Sequence, residues 1–133
     1  MSAPILFDDF RPGTRIGEMT LIYRPELASR WERIFGASAD EADKAARGAG
    51  IATVMMMRAY MSVVAPRPPG NVHARQHIAL DDVPVLDEKV RVEISCVAKE
   101  IRRERRYVEL RADGTGEKGR PLYRGRMTLI WAR

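Results

Sequence analysis

Residues 52–65 read ATVMMMRAYMSVVA, and the reading of this stretch decides the fold. On a helical net Val54, Met57, Met61 and Val64 share one stripe, Met56, Tyr60 and Val63 the next, and Met55 and Ala59 fill most of the rest. Only Arg58 and Ser62, four residues apart, are polar. A helix with so little polar surface has no side to give to water, so it is expected to be buried nearly all round as the central helix of a domain. Thr53 is its predicted N-cap and Pro66 its stop.

Upstream, PELASRWERIFG (25–36) predicts a helix. Pro25 suits the first helical position, Leu27, Trp31, Ile34 and Phe35 share a face, and Gly36 ends it. A second short helix is expected in SADEADKAARGAG (38–50), capped by Ser38 or Asp40 and closed by Gly48 or Gly50. The lead FDDFRPG (7–13) supplies a turn at Pro12-Gly13, followed by a strand around Glu18 to Tyr23.

Downstream of PRPPGN (66–71) the apolar period changes from 3.6 to 2. VHARQHIALDD (72–82) is strand-like. In EKVRVEISCVAKEI (88–101), Val90, Val92, Ile94, Cys96 and Ala98 point one way and Arg91, Glu93, Ser95 and Lys99 the other. RRYVELRADG (105–114) puts Val108, Leu110 and Ala112 inward. RPLYRGRMTLIWAR (120–133) sets Tyr123, Met127, Leu129 and Trp131 against Arg124, Arg126 and Thr128. These are half-buried antiparallel strands. Helices followed by a meander of long strands, with one helix too apolar for a solvent face, predict an α+β fold in which a curved sheet wraps a buried helix. Such sheets leave an edge or outer face for a second copy, so a dimer is expected.

The 133 residues fit a single domain, 1–133, that buries roughly two-thirds of its unfolded surface. A hydrophobic fraction of 45% and a charged fraction of 31% sit near ordinary globular values and favour neither disorder nor a membrane protein. No apolar run approaches the ~18 residues of a spanning helix, and MSAPILFDDF has no basic segment before its apolar stretch, so the expected compartment is the cytoplasm. The single cysteine, Cys96, lies in an alternating run and reads as a small buried hydrophobe. The net charge of +5, mostly from arginine, favours an anionic partner: a nucleotide-bearing thioester, an acidic carrier protein or nucleic acid.

The residues resemble a known family at this point. FDDFRPGTRIGEMTLIY, the helix ending RIFG, AARGAGIATVMMMRAYMSVV and PPGNVHARQHIALDDVPVLDEKVRVEISCVAKEIRRERRYVEL are similar to the hot-dog fold of MaoC-like acyl dehydratases and (R)-specific enoyl-CoA hydratases. The resemblance implies a hot-dog dimer acting on acyl-CoA or acyl carrier protein thioesters without a cofactor. Its hydratases carry an Asp and a His in a D-x-N-P-x-H-like segment after the first helix. The corresponding stretch here, GASADEADKAARGAGI, contains no His and no Asn; Asp40 and Asp43 are the only candidates for the acid, and the acid/base pair is incomplete. A family glycine near the start of the central helix, where the backbone N–H meets the thioester carbonyl, corresponds to Met56, Met57 or Arg58. The residues expected to bind substrate are Met56, Met57, Arg58, Tyr60, His73 and Arg75.

Arg58 is expected either to pair with a carboxylate such as Asp40 or to receive an anionic ligand. His73 and His77 fall on one side of a strand about 13 Å apart, too far to share a metal ion, so no metal site is expected. IRRERRY (101–107) reads as a solvated hairpin tip or as a docking patch for phosphates or an acidic carrier protein. Nucleic acid is not expected, because only Tyr107 is interleaved with these arginines. Three functions remain open: a dehydratase or hydratase with non-standard residues, which if active is a hydro-lyase; a non-catalytic partner of another hot-dog subunit, forming a hetero-oligomer; or a basic interaction module without an acyl ligand. A thioesterase is less attractive, since residues 53–65 hold no carboxylate.

Overall fold

The computed structural model describes residues 2–133. Its elements are β1 (Thr14–Ile22), α1 (Pro25–Phe35), α2 (Glu41–Val63), β2 (Val72–Leu80), β3 (Lys89–Arg102), β4 (Arg105–Thr115) and β5 (Pro121–Trp131), with short 3-10 turns at Phe7–Asp9 and Glu117–Gly119. The strands form one antiparallel sheet in the order β1-β3-β4-β5-β2. The long meander β3-β4-β5 takes the centre and the two nine-residue strands β1 and β2 are the edges. The α+β sheet with a long helix on one face is the architecture expected.

The core lies between α2 and the sheet. Ile51, Ala52, Met55, Met56 and Ala59 of the helix are almost completely buried against Val90, Val92, Ile94, Leu110, Ala112, Met127 and Leu129. Each large apolar side chain taken from water here contributes about 1.5–3 kcal/mol. The lead packs on the end of the sheet: Trp131 Nε1 donates to the Ile5 carbonyl at 2.7 Å, and Phe10 meets the Trp131 ring edge-on at 4.8 Å.

Two helices were expected where the structure has one. Residues 38–50 and 53–65 join in a single helix of 23 residues, with Thr53 inside it and its Oγ1 donating to the Ala49 carbonyl at 2.9 Å. Gly48 and Gly50 lack the positive φ that marks Gly36 (84°) as a helix end. They are present because neighbours come close. A Cβ on Gly48 would lie 2.7 Å from Val83 Cγ1, and one on Gly50 would lie 2.1 Å from the Trp31 ring. Along α1, Leu27, Ala28 and Trp31 pack inward, while Ile34 and Phe35 are exposed, so only the first half of its predicted face is used.

The central helix is not buried all round. Met61 is 54% exposed, Arg58 and Ser62 are exposed, and Val54 and Met57 are half-buried. A five-stranded sheet covers one side of a helix; Trp31 and Val83 pack on the first half of α2, and among the described residues none covers Arg58, Met61 and Ser62.

Bulges correct the strand alternation at two places. The register of β3 shifts between Cys96 and Ala98, which turns Ala98 outward opposite Glu109 and Lys99 inward opposite Val108. Lys99 Nζ then donates to the Phe7 carbonyl at 3.1 Å and sits 4.7 Å from the Phe7 ring centroid. The register of β2 shifts between His73 and Arg75, which separates the two histidines. His73 faces α2 opposite Leu129, whereas His77 lies on the outer face opposite Arg126. The expectation that both share a side fails for this reason.

Candidate functional site

Asp40 and Asp43, the two acids expected as candidates for a hydratase carboxylate, are used to start α2. Asp40 is the N-cap and its Oδ1 accepts from the Asp43 N–H at 2.9 Å, while Asp43 Oδ2 accepts from the Ala39 N–H at 3.0 Å. The first bond satisfies a donor that the first turn would otherwise leave free, and the second ties the chain just before the cap to the helix. Both carboxylates are exposed and committed to backbone, and no histidine lies beside them in the sequence.

The polar groups around the other end of α2 converge on Tyr60. Its buried ring meets the His73 ring edge-on with centroids 6.2 Å apart, and the Arg67 guanidinium lies 5.4 Å from its centroid. Burial pushes the Tyr60 phenol above its usual range against the opposing pull of Arg67, and burial alone lowers His73, keeping it neutral near pH 7. Arg67 also closes the helix: one nitrogen donates to the carbonyls of Met61 and Val64 at 2.8 and 2.9 Å. The sequence reading missed Arg67, although an arginine just past a predicted helix end is the signal for a C-terminal cap. A neutral imidazole beside a phenol, with no carboxylate paired to it among the described residues, is half of a general acid/base pair.

The structure divides the six expected substrate residues. Tyr60 and His73 come together. Met57 and Arg58 lie on the uncovered side of α2, with Arg58 exposed and in no ion pair among the described residues. The expected pairing of Arg58 with Asp40 is excluded by geometry, since Asp40 caps the same helix about 27 Å away along its axis. Met56 is in the core, its sulfur filling the space over Gly125, where a Cβ would lie 2.2 Å from it. Arg75, opposite Thr128, faces outward on the far side of the sheet from Tyr60. Residues 56–58 lie deep inside α2, not at a helix start, so their N–H groups are committed to carbonyls one turn back.

Cys96 is buried, as expected, and burial raises its thiol above the usual range. IRRERRY forms the β3-β4 hairpin. Arg103 and Glu104 make the turn with φ of 52° and 65°, and Arg102 covers the Tyr107 ring at 4.4 Å from its centroid. Among the described residues no three His, Cys, Asp or Glu side chains are placed to hold a metal ion, and no helix is long and apolar enough to cross a membrane.

No protein-family model and no curated protein matches the sequence. Solved structures do match the fold. A MaoC-like dehydratase from Rhodospirillum rubrum superposes with a TM-score of 0.77 at 15% identity, over 97% of this chain and 98% of that one. An (R)-hydratase from Pseudomonas aeruginosa gives 0.72 at 14% identity, over 96% and 86%. The HadBC (3R)-hydroxyacyl-ACP dehydratase complex from Mycobacterium tuberculosis gives 0.65 at 16% identity, over 88% and 98%.

Proposed function

We propose, from the premise that this chain has the MaoC-like hot-dog fold, that it binds an acyl thioester, of coenzyme A or of an acyl carrier protein, and has lost the ordinary hydratase reaction. The observation that carries the loss is the use of both carboxylates on backbone N–H groups at the start of α2, Asp40 on that of Asp43 and Asp43 on that of Ala39. A carboxylate that holds a backbone N–H at a helix start is not placed to share a water with an imidazole, and the segment offers no imidazole. The exposed stripe of α2 with Arg58 and Met61, the half-buried Met57 beside it and the inward His73 supply a partly apolar surface with a cation, Arg58, that has no ion pair among the described residues, which suits an acyl chain attached to an anionic carrier.

The test pairs turnover with binding. Purified protein incubated with crotonyl-CoA and longer enoyl-CoAs is expected to hydrate none of them at an enzymatic rate, while acyl-CoAs raise its thermal midpoint. Rapid hydration overturns the loss of chemistry. Failure of both acyl-CoAs and acyl carrier protein thioesters to stabilise the fold overturns thioester binding and leaves the interaction module.

A second reading, the partner subunit of another hot-dog protein, is supported by the unpaired edge of β2 and by Val72, Leu80 and Met61, which are 52%, 40% and 54% exposed. Co-purification from the native source decides it, and recovery of this chain alone counts against it.

A further inference from the structure

The outer face of the sheet is divided into two halves of different electrostatic character. On the β1-β3 half, arginines are matched with carboxylates: Arg15 meets Glu18 at 3.2 Å and Glu93 at 3.8 Å, and Arg91 meets Glu18 at 3.5 Å. On the β4-β5-β2 half, Arg111 stands directly opposite Arg126, and Arg126 directly opposite His77. This row spans about 10 Å at the usual strand spacing. Like charges facing each other across strands destabilise a sheet, and here two guanidinium groups face each other in line with an imidazole.

The carboxylates nearby offset only part of this charge. Arg111 gives its Nε to Asp113 at 3.0 Å and Arg126 gives one Nη to Glu109 at 3.3 Å, so each fork keeps donors to spare. Arg124 and Arg75, on the same face, have no ion-pair partner among the described residues. His77, Ala79, Arg111, Arg124, Gly125 and Arg126 surround a depression of about 220 Å³. At ~30 Å³ per water this holds several waters, room for a phosphate or diphosphate and too little for a bulky apolar ligand.

We infer that this depression is an anion site, in which the guanidinium groups of Arg111, Arg124 and Arg126, with His77 beside them, take the phosphate or diphosphate group of a small molecule. Forked N–H donors match phosphate oxygens in pairs, and the bound charge relieves the repulsion along the row. The site is on the opposite face of the sheet from α2 and is independent of thioester binding there.

Calorimetric titration of the full chain at low ionic strength, with pyrophosphate and with ADP as probes, tests it. Saturable binding of one anion per chain is expected, and tighter binding of ADP would identify a nucleotide as the source of the phosphates. Arg124→Gln with Arg126→Gln should weaken binding about tenfold or more, whereas Arg15→Gln with Arg91→Gln should leave it unchanged. If the glutamine pair does not fold, Arg124→Lys with Arg126→Lys keeps the charge, removes the forks and should still weaken binding. Equal weakening by both glutamine pairs, no saturable binding, or binding of polyglutamate without pyrophosphate overturns the inference, the last in favour of an acidic protein partner.

Discussion

Gly48 shows how one residue can be read in two ways. As a helix stop it would favour a C-cap, and as a close contact it would leave the helix running. The structure has the second, with Val83 Cγ1 and Cβ at 2.7 and 2.9 Å from where a Cβ would be. The two readings predict opposite signs for Gly48→Ala. A glycine merely interrupting a helix would give up to about 1 kcal/mol of stability on becoming alanine. Here the added methyl meets the base of a stiff, β-branched side chain, so the substitution is expected to cost about 1–2 kcal/mol net. Urea unfolding with the slope held constant measures it. Asp40 was legible as a helix start because capping is a local property of spacing. The role of Gly48 was not, because Val83 is distant in sequence.

The loop between β2 and β3 is tied to the turn between β4 and β5 by one buried carboxylate. Glu88, whose side chain is 3% exposed, accepts from the N–H groups of Val85 and Glu117, both at 3.0 Å, and pairs with Arg120, which also holds Asp82. Burial pushes the Glu88 carboxyl up, but the two backbone donors and Arg120 together outweigh it and leave the group below its usual range. A depressed acid contributes stability that is complete above its unfolded value of 4.5 and is lost as pH falls through the lower folded value. Glu88→Gln is therefore expected to cost about 2 kcal/mol at neutral pH, less than for a fully buried pair because Arg120 is partly exposed and keeps Asp82. The variant should also lose part of the acid dependence of the wild type below that pH. Thermal midpoints across the acid range check both, and parallel curves for the two proteins would refute the assignment. The strands themselves were plain from their period of two. Their bulges were not, because one inserted residue leaves the composition unchanged and reverses every side chain beyond it.

At the scale of the molecule, the unfinished parts lie together. Among the described residues the outer edge of β2 has no neighbour, most residues of β2 are exposed, and the exposed stripe of α2 carries Met61. A long edge strand invites pairing, and although β2 carries Arg75 on its outer face it has exposed Val72 and Leu80 at its two ends, where a protected edge would carry lysine or proline. The chain is expected to sediment as a dimer, and Val72→Asp with Leu80→Asp to shift it to monomer. Sedimentation velocity of the wild type as a monomer at micromolar concentration would count against pairing through β2.

The sequence by itself determined the kinds and order of the elements, the inward residues of β4 and β5, and the hairpin at Arg103 and Glu104. Those features depend on periodicity, local turn chemistry and residue identity, all of which are readable along the chain. Only the tertiary structure decided that residues 41–63 form one helix, that His73 and His77 part company, that Lys99 turns inward, and that Arg111, Arg126 and His77 stand in a row. Each of these follows from which residues face one another across strands or helices far apart in sequence, and strand register is set by packing of the whole sheet.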